Sequence, residues 1–269
     1  MKKTLRRCFS LFKTGLIEVL QFRASLLVIL FGNLIYLVVI YNLWKAIYAS
    51  VDTPVVNGMS FTDTMIYLVL ASAIFGVMEA YLVWDMGRSI QSGEIVLDIL
   101  KPISYEQYKF FPHIGGAFAT FLITFIPTFV IVELITGGAI RFGVNIAYFL
   151  LSMLLGTAIN FTIDFFVGTI CLYSQSIWGI NIMKEVIVFF FSGVTVPLAF
   201  FPEKLRMVAD MLPFQAIYNT PLTILTNNTL SGTDILKMLG YQVLWLAAML
   251  VISKLFWNRS LRAVTVNGG

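Results

Sequence analysis

The feature that most constrains this chain is a series of long apolar runs, each close to the roughly 20 residues that a helix needs to cross a bilayer. Six such runs lie at 24–46, 64–84, 114–135, 144–173, 187–201 and 238–257. Only 12% of the 269 residues are charged, whereas soluble domains carry about 25%. The pattern predicts an all-α integral membrane protein with six transmembrane helices, of which the fourth is long and the fifth is short.

The positions of lysine and arginine predict the orientation, because cytoplasmic loops of membrane proteins carry an excess of basic residues. Thirteen of the 18 basic residues fall on one side of the predicted membrane, namely Lys2, Lys3, Arg6, Arg7, Lys13, Arg23, Arg88, Lys101, Lys109, Lys184, Lys254, Arg259 and Arg262. The other five are Lys45, Arg141, Lys204, Arg206 and Lys237. We therefore expect a multi-pass protein of the cytoplasmic (inner) membrane with both termini in the cytoplasm. The basic residues lie mainly beside spans, which favours membrane lipids over nucleic acid as their partner.

An amphipathic pattern precedes the first span. Apolar residues recur at spacings of three and four, at Leu5, Cys8, Phe9, Phe12, Leu16, Val19 and Leu20. A helix with this pattern lies on the inner leaflet with its basic residues near anionic headgroups. The alternative is a first span that simply extends into the cytosol. We divide the chain into an N-terminal interfacial helix at 1–23 and a six-span transmembrane domain at 24–269.

The loop after the second run, residues 84–102, is longer than a chain reversal needs. It combines polar and flexible residues with apolar ones that we expect to anchor it. The polar and flexible set is Arg88, Gln91, Ser92, Gly93 and Glu94, and the apolar set is Ile90, Ile95, Val96 and Leu97. Two interpretations remain open: a docking surface for a cytoplasmic partner, or an interfacial helix among the headgroups.

The segment after the fifth run is rich in proline and does not resemble a simple turn. Pro202 suits the first turn of a new helix, and Pro213 ends it. The following apolar run, 214–225, is too short to cross. Backbone at membrane depth that does not cross must be sheltered by protein or a cavity. We expect two short helices that cap the outer end, one of them re-entrant.

Polar residues inside the runs are few. Asp164 lies in the fourth run, and no lysine or arginine of a predicted span is placed to pair with it, so we expect it to be protonated, hydrogen-bonded or in contact with water. Asn160 lies one turn away, and the pair suits either a polar pathway or helix packing. Glu79 is expected near the inner headgroups. Milder polar residues, typical of interior helix faces, are Asn33, Tyr36 and Ser72.

The sequence lacks the motifs that several kinds of chemistry require. The chain contains no G-x-x-x-x-G-K-S/T phosphate-binding loop and no G-x-S-x-G nucleophile motif. Its one histidine, His113, excludes a histidine-cluster metal site, and its two cysteines, Cys8 and Cys171, have no metal-ligand spacing. We therefore predict neither a catalytic set nor a metal site in this chain.

The order of these segments resembles that of the ABC-2 type permeases, the membrane subunits of one class of ATP-binding cassette exporter. The resemblance covers nearly the whole chain and is carried by residues 87–94, 100–102, 192–193, 197–202 and 212–214. The chain is similar to the bacterial subgroup whose permeases work in pairs. The absence of a phosphate-binding loop agrees with a subunit that does not hydrolyse ATP itself.

The resemblance implies a partner and a site for each unusual segment. Two copies of a separate ABC ATPase, which bind ATP and Mg, would dock on a coupling helix whose residues are Arg88, Ile90, Gln91, Ser92, Gly93 and Glu94. An external gate would be formed by Pro197, Phe200, Phe201, Pro202 and Pro213. The pathway would run beside spans one, two and five, past Asn33, Tyr36, Ser72, Ser192 and Thr195.

A second permease, either a related chain in a heterodimer or a second copy, would complete the exporter. No cofactor is expected in this chain, and the resemblance does not specify the cargo. The alternative from a different functional class is a membrane scaffold, or a membrane-bound enzyme without a recognisable motif.

Overall fold

The computed structural model of the chain describes residues 2–21, 23–79, 81–138, 140, 143–174 and 177–262. Its helices are α1 (Lys2–Gln21), α2 (Arg23–Ala49), α3 (Phe61–Met78), α4 (Leu82–Gln91), α5 (Ile95–Ile99), α6 (Tyr105–Thr120), α7 (Ile126–Thr136), α8 (Val144–Ile170), α9 (Ile177–Ser192), α10 (Glu203–Met211), α11 (Asn219–Thr226) and α12 (Gly232–Leu261). A π-helical turn, Phe121–Phe125, joins α6 to α7. Arg141 and the end of the predicted domain at 263–269 lie outside the described residues.

A small hairpin between α2 and α3 departs from the otherwise helical fold. Strands β1 (Val55–Val56) and β2 (Met59–Ser60) pair antiparallel. Asn57 and Gly58 join them with φ of 50° and 83°, the left-handed conformation that two-residue hairpin turns require. Ser60 then caps α3, because its hydroxyl accepts the backbone N–H of Asp63 while the Asp63 carboxylate accepts the N–H of Ser60.

Five helical segments of the described chain are long and apolar enough to cross a membrane. They are Phe31–Ala49, Phe61–Gln91, Tyr105–Thr136, Val144–Ile170 and Gly232–Leu261. The predicted class, an all-α integral membrane protein, is confirmed. The predicted number of six spans stays a prediction, because α9 has 16 residues and rises only about 24 Å.

The predicted bounds of the fifth span are wrong. The structure places a helix at Ile177–Ser192 instead of 187–201. Helix α9 contains Asn181, Lys184 and Glu185, which the apolar run excludes. Each of them has a polar partner, because Lys184 pairs with Asp164 of α8 and Asn181 donates to the Glu185 carboxylate within α9. Lys184, which the charge count placed in a cytoplasmic loop, therefore lies in the middle of a helix.

The second span is interrupted, contrary to the single predicted run at 64–84. Helix α3 ends at Met78, and Glu79 has an extended conformation with ψ of 113°. Helix α4 then continues and buries Leu82, Val83 and Met86. Gly87 belongs to the predicted loop at 84–102, but the structure shows it as helical. It lies inside α4, where an added Cβ would come within 2.7 Å of the Ile177 side chain of α9.

Helix α1 packs against α6 through glycines on both helices. An added Cβ at Gly15 would overlap the carbonyl oxygen of Pro112, and one at Gly115 would overlap the carbonyl oxygen of Phe12. Neither backbone atom can move without separating the helices. Leu5 and Phe9 of α1 stay exposed, which agrees with the predicted lipid-facing side of an amphipathic helix.

The chain between α9 and α12 returns into the middle of the bundle. After α10, a 3-10 turn at Pro213–Ala216 leads to Ile217. The carbonyl oxygen of Ile217 would lie 3.0 Å from a Cβ added at Gly156, which is halfway along α8. The buried Gln242 of α12 donates to the carbonyl of Ala216 at 2.7 Å. Helix α11 follows, so the chain between α10 and α12 reaches the interior of the bundle. The re-entrant outer cap stays a prediction.

Candidate functional site

A cavity of about 310 Å³ lies between α2, α3, the α6–α7 helix and α9. Its lining residues are Gly32, Asn33, Tyr36, Ser72, Ala73, Phe75, Gly76, Glu79, Thr124, Thr128, Phe189, Val194 and Thr195. The volume falls at the lower end of the range of small-molecule sites, about 300–1,000 Å³. Most of the lining is apolar, and hydroxyl and amide groups are placed at intervals along it.

Four of the five residues predicted for a pathway face this cavity. Asn33 and Tyr36 come from α2, Ser72 from α3, and Thr195 from the turn after α9. Ser192, the fifth, is fully buried and does not line the cavity. Its hydroxyl instead accepts the backbone N–H of Val194 at 3.4 Å and supports the turn that carries Thr195.

Glu79 lines the cavity, which the sequence did not predict. It occupies the break between α3 and α4, and its expected position near the inner headgroups stays a prediction. The break is level with Asn160 in the interior of α8, because the Asn160 amide donates to the carbonyl of Met78 at 2.9 Å. This hydrogen bond satisfies a carbonyl at the interrupted end of α3, which lipid could not do.

Asp164 has a cationic partner, contrary to the sequence prediction. The Nζ of Lys184 lies 2.9 Å from Oδ1 of Asp164, whose side chain is 0% exposed, and the Lys184 side chain is 12% exposed. Asn160 also donates to Oδ2 of Asp164, at 3.4 Å. The ion pair joins α8 to α9 beside a small second cavity that Glu79, Glu185 and Tyr218 help to line.

The signal for this ion pair was present in the sequence. Asn181, Lys184, Val188 and Ser192 recur at spacings of three and four residues and share one helix face. Asn160 and Asp164 have the same spacing on α8. Two polar faces on apolar helices predict a shared interior interface, but hydropathy alone assigns Lys184 to a loop.

The predicted loop at 84–102 begins within α4 and continues as the short helix α5, which is held by a single buried side chain. Gly93 has φ of 78° and turns the chain after α4. In α5, Ile95 is buried beside Leu82 and Met86, but Leu97 is 66% exposed. The prediction that Val96 and Leu97 anchor the loop is therefore wrong, since both are exposed, and Ile90 is only half-buried. Among the predicted docking residues, those exposed are Arg88, Gln91, Ser92, Gly93 and Glu94.

Ion pairs hold the base of this loop. Lys109 of α6 reaches Asp85 at 2.6 Å and Asp98 at 3.4 Å. Lys101 pairs with Asp98 at 2.6 Å, and this hydrogen bond raises the pKa of Lys101. The Arg7 guanidinium of α1 donates to the carbonyl of Pro102 at 3.0 Å. These contacts leave the apolar tip of α5 as the part of the loop that projects.

Four of the five residues predicted for an external gate lie in the segment between α9 and α10, and Pro213 follows α10. Pro197 is buried, the Phe200 ring packs on Trp44 of α2 at 4.6 Å between centroids, and the Phe201 ring packs on Phe190 at 5.5 Å. The remaining two begin helical turns: Pro202 precedes α10 and Pro213 starts the 3-10 turn.

A buried tyrosine of α3 forms hydrogen bonds with the segment that follows α9 and with α11. The Tyr67 hydroxyl lies 3.1 Å from the carbonyl oxygen of Gly193 and 3.2 Å from Oδ1 of Asn219. Gly193 has φ of 80°, and an added Cβ there would lie 3.0 Å from the same hydroxyl. Sequence reasoning missed Tyr67, because a tyrosine in an apolar run gives no sign of its partner.

Fold and site together define a multi-pass membrane protein with a cavity between its helices and a projecting loop, which is the architecture of a transporter membrane subunit. The family model described as "ABC-2 family transporter protein" matches residues 34–268. The chain therefore belongs to the ABC-2 transporter family, and the resemblance drawn from its sequence is confirmed. A search among curated proteins found no match. Membership of this family implies association with ABC ATPases and a role as a transporter subunit, not a catalytic enzyme.

Proposed function

We propose that this chain is the permease subunit of an ATP-binding cassette exporter, driven by two copies of a separate ATPase that binds ATP and Mg. The observation that carries the proposal is helix α4. One end of α4 adjoins Glu79 in the cavity, and the other end adjoins Gly93 and the exposed tip of α5. A push on α5 would move the break at Glu79, since a single helix of 10 residues connects them.

The second part of the proposal is a paired permease, either a related chain or another copy of this one. Helix α2 supplies three residues of the cavity wall, but few residues of the chain pack against the face of α2 that points away from the cavity. Its exposed apolar side chains include Val28, Phe31, Leu34, Ile35, Val38, Val39 and Leu43. A second permease against this face would enclose the cavity, and cargo would then leave past the proline-rich outer cap.

Docking of the ATPase on α5 is tested by Gly93→Trp. We expect this variant to lose most of the ABC ATPase that copurifies with the wild-type chain from native membranes. The bulky ring would occupy the contact surface, since no other heavy atom lies within 4 Å of an added Cβ at Gly93. Leu97→Arg should have the same effect without backbone strain, through a charge in an apolar contact. The measurement is the amount of ABC ATPase in the eluate and its hydrolysis rate.

Gly58→Trp is the matched control for this experiment. Gly58 also has a positive φ, 83°, and no heavy atom within 4 Å of an added Cβ, but it lies in the hairpin at the opposite end of α3. It should keep the ATPase. Full copurification with both Gly93→Trp and Leu97→Arg would show that the ATPase docks elsewhere.

The proposed orientation is tested by cysteine labelling in a chain whose Cys8 and Cys171 have been replaced. A membrane-impermeant maleimide should label Asn228→Cys in intact cells and Gln91→Cys only after the membrane is opened, because both positions are exposed and the proposal places them on opposite sides. Labelling of both cysteines in intact cells, or of neither, would contradict cytoplasmic termini.

A further inference from the structure

The cavity wall combines aromatic rings with a single charge. Tyr36, Phe75 and Phe189 line it, and the rings of Phe75 and Phe189 lie 5.2 Å apart in an edge-to-face arrangement. Among the described residues of the lining, Glu79 is the only charged one. Aromatic faces carry negative electrostatic potential and attract cations, most strongly where water is excluded.

The charge around Glu79 stays negative because the nearest cation is already paired. Glu185 and Lys184 are its charged neighbours. Lys184 lies 2.9 Å from Asp164, so that pair is neutral as a unit. Glu185 accepts a hydrogen bond from Asn181, an uncharged partner. Among the residues whose side chains the structure describes, none forms an ion pair with Glu79.

We infer that the cavity selects an amphipathic cation: an apolar or aromatic body that lies against Phe75 and Phe189, with a positive charge at Glu79. The inference deepens the proposed function and rests on it for the statement that the bound cation is the exporter's cargo. An anion would meet uncompensated repulsion at Glu79 and Glu185. A neutral lipid chain would fill the apolar part but bring no positive charge to the Glu79 carboxylate, which has only the Tyr81 side chain as its described hydrogen-bond partner.

The test is binding of two hydrophobic ions of the same shape and opposite charge, tetraphenylphosphonium and tetraphenylborate. Binding is measured by equilibrium dialysis of the purified chain in detergent, after subtraction of the uptake by protein-free micelles. The wild-type chain should bind the cation more tightly than the anion. Glu79→Gln should weaken cation binding at least about tenfold, by loss of the charge partner, and should not weaken anion binding.

Two further variants control for folding and for general loss of charge. Glu79→Asp keeps the carboxylate and should keep most of the cation binding. Glu106→Gln makes the same chemical change in α6 away from the cavity, and it should leave both affinities unchanged. Equal effects of Glu79→Gln and Glu106→Gln would overturn the inference. So would wild-type binding that does not distinguish the two ions, a result that needs no variant to fold.

This result is independent of the ATPase. Binding is measured without ATP or a partner chain, so a wild-type chain that selects the cation but never copurifies with an ABC ATPase contradicts only the exporter proposal. A chain that copurifies with the ATPase but does not prefer the cation contradicts only the cation site.

Discussion

Replacement of Lys184 by methionine is expected to destabilise the folded chain by about 3–5 kcal/mol, the usual cost of removing one partner of a buried ion pair. Asp164 is fully buried, and Lys184 supplies the cation 2.9 Å from it. Without that cation, the Asp164 carboxylate keeps the hydrogen bond from the Asn160 amide. An uncharged amide compensates a buried charge poorly. The measurement is the thermal unfolding temperature in detergent, together with the yield of monodisperse protein.

Asp164→Asn should cost less than Lys184→Met. Lys184 retains some contact with solvent and has two other carboxylates nearby, those of Glu79 and Glu185. The double variant, Asp164→Asn with Lys184→Met, should recover much of the lost stability, because it removes both charges together. The resulting double-mutant cycle separates the coupling between the two side chains from the loss of each one.

The exposed pair Arg206–Asp210 provides the control. Its atoms lie 3.8 Å apart and its side chains are about half exposed, so Arg206→Met should change stability by less than about 1 kcal/mol. If Lys184→Met unfolds at the same temperature as Arg206→Met, then Asp164 does not depend on the cation. The charge at α9 would then have no structural role.

The second large effect is expected at the crossing of α1 and α6. Gly115→Ala should separate the two helices, because its Cβ would overlap the backbone carbonyl oxygen of Phe12. Overpacking of this kind typically costs about 1–3 kcal/mol. Gly15→Ala should act in the same way from the other helix, where the Cβ meets the carbonyl of Pro112. The measurement is the rate of tryptic cleavage after Lys13, an exposed residue in the middle of α1, which should rise in both variants.

Gly116→Ala is the matched control one residue further along α6. Its Cβ would lie 3.5 Å from a methyl group of Val19, an ordinary contact. Alanine also favours the helix over glycine by about 1 kcal/mol, so this variant should be as resistant to trypsin as the wild type. Equal cleavage of Gly115→Ala and Gly116→Ala would mean that α1 is not held by close backbone contact.

The sequence by itself determined the membrane class, the family resemblance and most of the helical framework. An apolar run that enters lipid must satisfy its own backbone hydrogen bonds, so length and hydropathy located α2 and α8 to within about three residues and placed a span inside the longer α12. Some residue types also predict local structure directly. Proline favours the start of a helix over its interior, and Pro202 and Pro213 do mark starts of helical turns, although Pro112 lies inside α6.

The two misplaced spans show what hydropathy cannot provide. It averages each segment alone, so it read through the break at Glu79 and excluded Lys184 from α9. Whether a polar group is tolerated inside a membrane protein depends on its partner, and the partners of Lys184 and Asn160 lie on other helices. Likewise, whether a short apolar segment returns into the bundle depends on what shelters its backbone, and here that is Gln242.

Only the tertiary structure decided that Asn33, Tyr36, Ser72 and Thr195 face one cavity with Glu79. The sequence marked the first three as polar residues on interior faces, but a face acquires a function only from what lies opposite. The close crossing at Gly15 and Gly115 is of the same kind. A glycine in a helix costs stability wherever it occurs, and the neighbouring helix, over 90 residues away along the chain, is what makes it necessary.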